Sequence, residues 1–153
     1  MRKFKSLPLI NHQAIRLTIM PIKYFEAPDV KKRVEEIIEK LNMTHIVQQH
    51  VFCIRSVGSR SERVVARIHG LERIWQKTLN LPPYYVIEVI SERYDKLSNE
   101  EKDKTLIHEL LHIPKGFSGG FRPHRGFISR RKVEKLYKEL KKMENMRKIV
   151  KNF

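Results

Sequence analysis

One segment of the chain, residues 98–114, is bounded at both ends by residues that determine where a helix begins and where it stops. Ser98 is followed three positions later by Glu101, the spacing at which a serine and a glutamate cap the first turn of a helix reciprocally. No Gly or Pro follows before Pro114, and proline cannot continue a helix. Three glycines just beyond it indicate a loop. We therefore predict a capped helix and a glycine-rich loop, around which the rest of the chain must pack.

The last two turns of this helix contain the sequence His108-Glu109-x-x-His112. Residues four apart lie on the same face of a helix, so both imidazoles can reach one zinc ion at Zn–N distances of about 2.0–2.1 Å. Glu109 lies beside them, where a carboxylate can act on water as a general base. A catalytic zinc ion keeps three protein ligands and one open position, and His124, which follows the loop, is the candidate third ligand. The pattern predicts a catalytic zinc site.

Two alternatives to this assignment remain open. Leucines and isoleucines flank the motif, so its histidines could be ordinary residues of a buried helix, although buried imidazoles need polar partners. Glu134, ten residues beyond His124, could supply an acidic third ligand, but its position is more typical of a surface charge on a helix. An oxyanion would need a further donor, and the candidates, each also typical of an ordinary loop or surface residue, are Tyr94, Arg122 and Arg125.

The run from His108 to Pro114, followed by the run from Phe117 to His124, resembles the small zincin-type metallopeptidases. It most resembles the phage-type metallopeptidase domain found in archaea and phages, and it is more distantly similar to the SprT-like and YgjP-like zinc peptidases. The third histidine lies too far along the chain for the metzincin pattern. The similarity covers about residues 51–127 and includes Cys53–Ser59, Ala66–Leu71 and Tyr85–Ile90.

The resemblance implies a Zn²⁺ cofactor held by His108, His112 and His124, a protein or peptide substrate, and catalysis by Glu109. In the predicted mechanism, zinc lowers the pKa of a water molecule and polarises the scissile carbonyl, while Glu109 moves the proton. Two other classes stay open: a basic nucleic-acid-binding module with a structural metal, and a metal-dependent hydrolase of non-peptide substrates. No cysteine lies near the motif to close a structural zinc site, which favours catalysis.

Length and composition indicate one globular domain, since the chain has 153 residues of which 41% are hydrophobic. We assign residues 28–153 to a single metallopeptidase-like domain and residues 1–27 to a poorly patterned segment, in which Met20 is a candidate start. The predicted fold class is α+β, in a minimal zincin-like arrangement. A small, mostly antiparallel sheet from about residues 46–91 packs on the motif helix, and further helices flank it at both ends.

Apolar residues at helical spacing predict the flanking helices at Asp29–Leu41, with Asp29 as its cap, and at Phe127–Val150. β-branched and aromatic residues predict strands at Ile46–Val57 and Arg63–His69, joined as a hairpin, and at Tyr84–Ile90. By resemblance to zincins, this last strand is expected to be the sheet edge along which an extended peptide lies.

The segment Leu71–Leu79 fits a short helix, with Trp75 predicted to lie in the core. Two other histidines, His45 and His50, fall on the first predicted strand and face opposite sides, so they do not form a pair of ligands. The histidines to which we assign no metal or catalytic role are His12, His45, His50 and His69.

The chain carries a net charge of +15. Such a charge favours an acidic partner such as nucleic acid or an anionic membrane surface, and a solvated, Lys-rich surface explains it equally well. Residues 130–153 hold 10 basic and 3 acidic residues, so nonspecific DNA or RNA binding through the basic C-terminal helix at 127–150 is one prediction. A single cysteine, Cys53, and no apolar run near the roughly 18 residues of a membrane span indicate a cytoplasmic protein.

Overall fold

A computed structural model of the protein describes residues 21–151, so Met20 and His12 lie outside the described residues. The strands are β1 (Lys23–Glu26), β2 (Val51–Val57), β3 (Ala66–Gly70) and β4 (Tyr85–Ile90). The helices are α1 (Pro28–Lys40), α2 (Arg73–Leu79), α3 (Ser91–Tyr94), α4 (Asn99–Leu111) and α5 (Arg130–Lys151). These elements confirm the predicted α+β class, and β1 falls within the segment that we described as poorly patterned. Among the described residues, no helix is both long enough and apolar enough to cross a membrane.

The four strands form one mixed sheet in the order β1-β2-β4-β3. β1 pairs antiparallel with β2 and β3 pairs antiparallel with β4, whereas β2 and β4 run parallel. The predicted hairpin between Ile46–Val57 and Arg63–His69 is therefore wrong, because β4 lies between those two strands. Five of the six residues of β4 are buried, and a strand with apolar residues on both faces is stabilised best at the centre of a sheet. The prediction that β4 is a sheet edge is wrong for the same reason. The edge strands are β1 and β3.

The core lies between this sheet and three helices. α1 packs against β2, α4 packs against β3, and α5 packs against both α1 and α4. From α4, the side chains of Leu106, Ile107 and Leu110 are fully buried, as is Ile87 of β4. Burying each such side chain contributes about 1.5–3 kcal/mol, so the motif helix is anchored by its apolar face. Its polar face is left free to form a site.

Helix α4 begins as predicted. The Ser98 side chain accepts a hydrogen bond from the backbone N–H of Glu101 at 3.3 Å, and the Glu101 carboxylate accepts one from the backbone N–H of Ser98 at 3.0 Å. Helix α1 begins differently, because Pro28 occupies its first turn and Ala27 is the capping position. The predicted cap Asp29 is thus wrong, although its carboxylate in the first turn still favours the positive end of the helix.

A buried ion-pair network joins the three packed helices. The Arg33 guanidinium of α1 donates two hydrogen bonds, each 2.7 Å long, to the carboxylate of Asp103 on α4. The same guanidinium lies 2.8 Å from Glu144 on α5. Asp103 is almost completely buried, and removing Arg33 would leave only the ammonium of Lys141, 3.6 Å away, to compensate its charge. The network fixes the position of α4 relative to its neighbours.

Several local predictions need correction. Trp75 is 54% exposed rather than part of the core, because α2 buries none of its residues. His45 and His50 do not lie on a strand, since β2 begins only at Val51, after a 3₁₀ turn that ends at His50. α5 begins at Arg130, three residues later than predicted.

Candidate metal centre

Helix α4 presents His108 and Glu109 in its last turn, and His112 follows as the C-terminal capping residue. The backbone of His112 is still helical, at φ −68° and ψ −21°. The two histidines therefore keep the one-turn spacing that places their side chains on the same face. Their ring centres lie 5.2 Å apart.

The loop that carries His124 is folded back onto the sheet. At its centre, the fully buried hydroxyl of Tyr85 accepts a hydrogen bond from the N–H of Gly119 and donates one to the carbonyl of Gly120, each 2.8 Å long. Gly119 has a φ of +89°, and a Cβ there would lie 2.1 Å from the Leu71 carbonyl oxygen. Only glycine permits this close approach of two backbones. The loop is thus held in one position before any ligand binds.

This folding brings the three predicted ligands together. The imidazoles of His108, His112 and His124 each offer a nitrogen, and these nitrogens all lie within 4.8 Å of one another. The Nε2 atoms of His108 and His124 are 3.1 Å apart. Among the described residues, no other group of three or more His, Cys, Asp or Glu side chains could hold a metal ion.

The protonation of His112 is fixed by its contact with the loop. Its Nδ1 lies 2.8 Å from the carbonyl oxygen of Arg122, which can only accept a hydrogen bond, so Nδ1 carries the hydrogen and Nε2 keeps a free lone pair. The backbone N–H of Arg122 in turn donates to the His112 carbonyl at 2.7 Å. Burial and the neighbouring imidazoles lower the pKa of His108 and of His112. Both rings are therefore neutral near pH 7, as metal ligands must be.

Glu109 is only 8% exposed and its carboxylate has no hydrogen-bond partner among the described residues. Burial disfavours the charged form and raises the pKa of this carboxyl to about 7. A carboxyl group with a pKa near neutrality can both accept and return a proton at physiological pH.

The histidines and Glu109 open onto a cleft of about 970 Å³. One wall is the segment from Arg63 to Ala66, which leads into β3, and the other includes Ile128 and Val133, before and within the first turn of α5. β3 pairs with β4 along one edge only. Its other edge is unpaired, and β3 packs against α4. No sequence pattern indicated that these residues line the cleft, because their position depends on strand order.

The other candidates lie elsewhere or have other partners. Glu134 borders the cleft, but its carboxylate pairs with Lys104 at 2.7 Å. Tyr94 is buried, with Arg55 and Lys102 over its ring, and does not line the cleft. The Arg122 guanidinium lies over the Phe127 ring, next to a smaller recess that also touches Glu109. His69 forms a 2.8 Å contact with Glu88, and Arg125 is an exposed loop residue.

These residues fit a zinc ion better than other metals. Three imidazole nitrogens and a free position suit zinc, whereas calcium and magnesium prefer oxygen ligands. The single cysteine, Cys53, is buried in β2, where burial raises the pKa of its thiol to about 12, so it cannot supply a thiolate. The donor set is that of an open, three-ligand site.

Two histidines on a helix, a third on a loop and a buried carboxylate beside a cleft are typical of metal-dependent hydrolases. The family described as "Putative phage metallopeptidase" matches residues 22–153. The chain therefore belongs to this family. No curated protein and no solved structure matches the chain significantly.

Proposed function

We propose that the protein is a zinc-dependent metallopeptidase that hydrolyses peptide bonds. The observation that carries this proposal is the convergence of three imidazoles next to a buried, unpartnered carboxylate at the edge of an open cleft. His108, His112 and His124 would hold the zinc ion. When bound, zinc supplies a Lewis acid that polarises a carbonyl group and makes water more acidic.

Glu109 is the general base in this proposal. Its carboxylate would accept a proton from the attacking water and deliver that proton to the leaving amine. Burial serves this role, since a carboxyl with a pKa of about 7 is basic enough to accept the proton and acidic enough to release it. The Arg122 carbonyl orients the His112 ring and keeps its Nε2 free to bind the zinc ion.

A peptide fits this cleft better than a small substrate does. The cleft is open, and one of its walls runs from residue 63 to Ala66, where the unpaired edge of β3 begins. An extended peptide can add to such an edge through backbone hydrogen bonds, which require no particular side chains. Hydrolysis of a non-peptide substrate remains the alternative for the same site, and assays with peptides decide between the two.

Nonspecific DNA or RNA binding by α5 has only charge in its favour. Some of its cations are already paired within the domain, such as Lys141 with Glu144 at 2.8 Å and Arg147 with Glu39 at 2.9 Å. A peptidase recruited to nucleic-acid-associated proteins would show DNA binding that weakens steeply with salt. DNA binding that is absent or insensitive to salt would exclude this role.

The proposed function is tested by casein cleavage with the zinc-loaded protein and its Glu109→Gln variant. We expect cleavage to fall by about 10²–10⁴-fold in the variant while one zinc ion per chain is retained. The matched control is Glu35→Gln, the same chemical change at a half-buried position on α1 outside the cleft, which should leave cleavage unchanged. Undiminished cleavage by Glu109→Gln would overturn the assigned role of Glu109.

A further inference from the structure

Three of the acidic side chains that border the cleft, those of Glu100, Glu101 and Glu134, are engaged by groups of the protein itself. The ammonium group of Lys104 lies 2.5 Å from the carboxylate of Glu100 and 2.7 Å from that of Glu134. The carboxylate of Glu101 is engaged by the backbone and side chain of Ser98 at the helix cap. Each of these three carboxylates therefore has a partner within the protein.

Two cations on the cleft rim have no such partner. Arg63 lies on the sheet side of the cleft and Arg130 on the α5 side, and both are exposed. Neither forms an ion pair within the part of the chain that the structure describes. These two guanidinium groups are thus free to meet anionic groups of an incoming chain at the rim of the cleft.

A second recess of about 530 Å³ continues from the cleft along α5. Ser129 and Glu134 border both cavities, so the two adjoin each other at these residues. We call this recess the basic groove, and its exposed cations are Arg131, Lys132, Lys135 and Lys138.

Geometry and partners leave the basic groove open to an acidic ligand. Arg131, Lys135 and Lys138 recur at helical spacing on one side of α5. Arg131 and Lys138 form no ion pair with any described residue, and Lys135 has only a 4.0 Å contact with Glu139. Seven residues of helix span about 10 Å, which is the length of about three residues of extended peptide.

We propose that the basic groove binds acidic side chains of the polypeptide whose scissile bond lies in the cleft. The proposal rests on the proposed peptidase function and names its substrate class: proteins with an acidic segment a few residues from the cleaved bond. Opposite charges at an open groove raise both the affinity and the rate of encounter with such a segment.

A peptide is favoured over nucleic acid as the occupant for two reasons. The groove is a continuation of the cleft, so a chain that leaves the cleft along α5 meets these cations directly. A nucleic acid would instead use phosphate contacts along the whole helix, including Lys142 and Lys148 beyond the groove. No exposed aromatic side chain lines the groove on which a base could stack.

The test is binding of two fluorescein-labelled peptides to the zinc-loaded Glu109→Gln protein, which holds substrate without cleaving it. The two peptides share a neutral central sequence, and one carries four glutamates at one end where the other carries four glutamines. Each peptide is made in two versions, with this run at the N-terminal or at the C-terminal end. The groove variant is Arg131→Glu with Lys138→Glu. The matched control is Lys142→Glu with Lys148→Glu, the same charge change on the same helix outside the groove.

We expect the glutamate peptide, in one of its two orientations, to bind roughly tenfold more tightly than the glutamine peptide at low salt. This preference should disappear in the groove variant and persist in the control. Equal binding of both peptides in both orientations would overturn the proposal, even if the groove variant failed to fold. Equal loss of the preference in both variants would also overturn it. If instead a fluorescein-labelled DNA oligonucleotide binds through the groove and neither peptide does, the occupant is nucleic acid and the proposal is wrong.

Cleavage of the neutral peptide by the wild-type protein separates this proposal from the proposed function. If that cleavage occurs without any preference for glutamate, the peptidase assignment stands and the acidic substrate class is wrong. If zinc-loaded protein cleaves neither peptide but binds the glutamate peptide through the groove, the peptidase assignment is wrong and the groove is a binding site for acidic segments.

Discussion

At the scale of single residues, chemically identical side chains have different roles because their surroundings differ. Glu101 is exposed and engaged by the helix cap, and the hydrogen bonds from Ser98 lower the pKa of its carboxyl. Glu109, two turns further along the same helix, is buried without a partner, and its pKa is raised to about 7. The spacing of the motif predicted which glutamate lies beside the histidines, but only burial explains why its carboxyl is tuned to exchange protons.

His124 is the residue on which the proposed metal site depends most. Replacing it by alanine removes one of the three proposed zinc ligands. Losing a residue that only supports a ligand lowers metal affinity by roughly 10–100-fold, so we expect His124→Ala to lower zinc affinity by more than that. Competition with a chromogenic chelator measures this affinity. His69→Ala, which changes a histidine outside the cleft, should bind zinc as the wild-type protein does. Stoichiometric, tight zinc in His124→Ala would contradict the assigned ligand set.

At the scale of elements, the site depends on how α4 and the following loop are held. α4 is held in place by the hydrogen bonds from Arg33 to its Asp103 and by the packing of its apolar face. The centre of the loop is held by the buried hydroxyl of Tyr85 and by the contact of Gly119 with the Leu71 carbonyl. The Gln76 side chain donates to the Ser118 carbonyl, and Arg122 is hydrogen-bonded to His112. The glycine-rich composition predicted a loop, but nothing in the sequence identified Tyr85 as its partner, because the two lie 34 residues apart.

Tyr85→Phe tests whether this hydroxyl positions the third ligand. The change leaves the N–H of Gly119 without a partner, which should lower the free energy of unfolding by about 1–3 kcal/mol. Because His124 then loses its fixed position, we expect zinc affinity to fall by roughly tenfold as well. Zinc titration and chemical denaturation measure the two effects separately. Tyr24→Phe, on the exposed edge strand β1, is the control, and a loss of stability without any loss of zinc affinity would refute a positioning role.

The ion pairs that join α4 to α1 and α5 predict how the stability of the protein changes in acid. Burial alone would raise the pKa of Glu144, but hydrogen bonds from Lys141, Arg33 and Lys40 outweigh it and lower the pKa to about 2. A carboxyl with a lowered pKa stabilises the fold above its ordinary pKa near 4.5, and this stabilisation is lost as the pH falls toward 2. We expect it to be on the order of 1–3 kcal/mol.

Urea denaturation between pH 6 and pH 2 measures this contribution. Glu144→Gln should be less stable than the wild type at pH 6, and the difference should shrink as the pH falls. Glu139→Gln, an exposed position on the same helix, should follow the wild-type curve throughout. A difference between wild type and Glu144→Gln that stayed constant with pH would show that the network contributes no pH-dependent stability.

At the scale of the whole molecule, local signals predicted more than nonlocal ones. The capped helix, its histidines and the loop after Pro114 could be predicted because each depends on residues close together in the chain. The sheet could not, because the apolar residues of β4 do not specify that β2 and β3 are its neighbours. The exposure of Trp75 was missed for a related reason, since burial depends on which elements pack nearby.

The central claim, that three histidines hold a zinc ion with one position left open, is tested most directly by X-ray absorption at the zinc edge. The purified protein is loaded with one equivalent of zinc and washed. We predict four light-atom ligands at about 2.0–2.1 Å, with the outer-shell scattering of three imidazoles. Failure to retain zinc, a sulfur ligand at about 2.3 Å, or fewer than three imidazoles would contradict the claim.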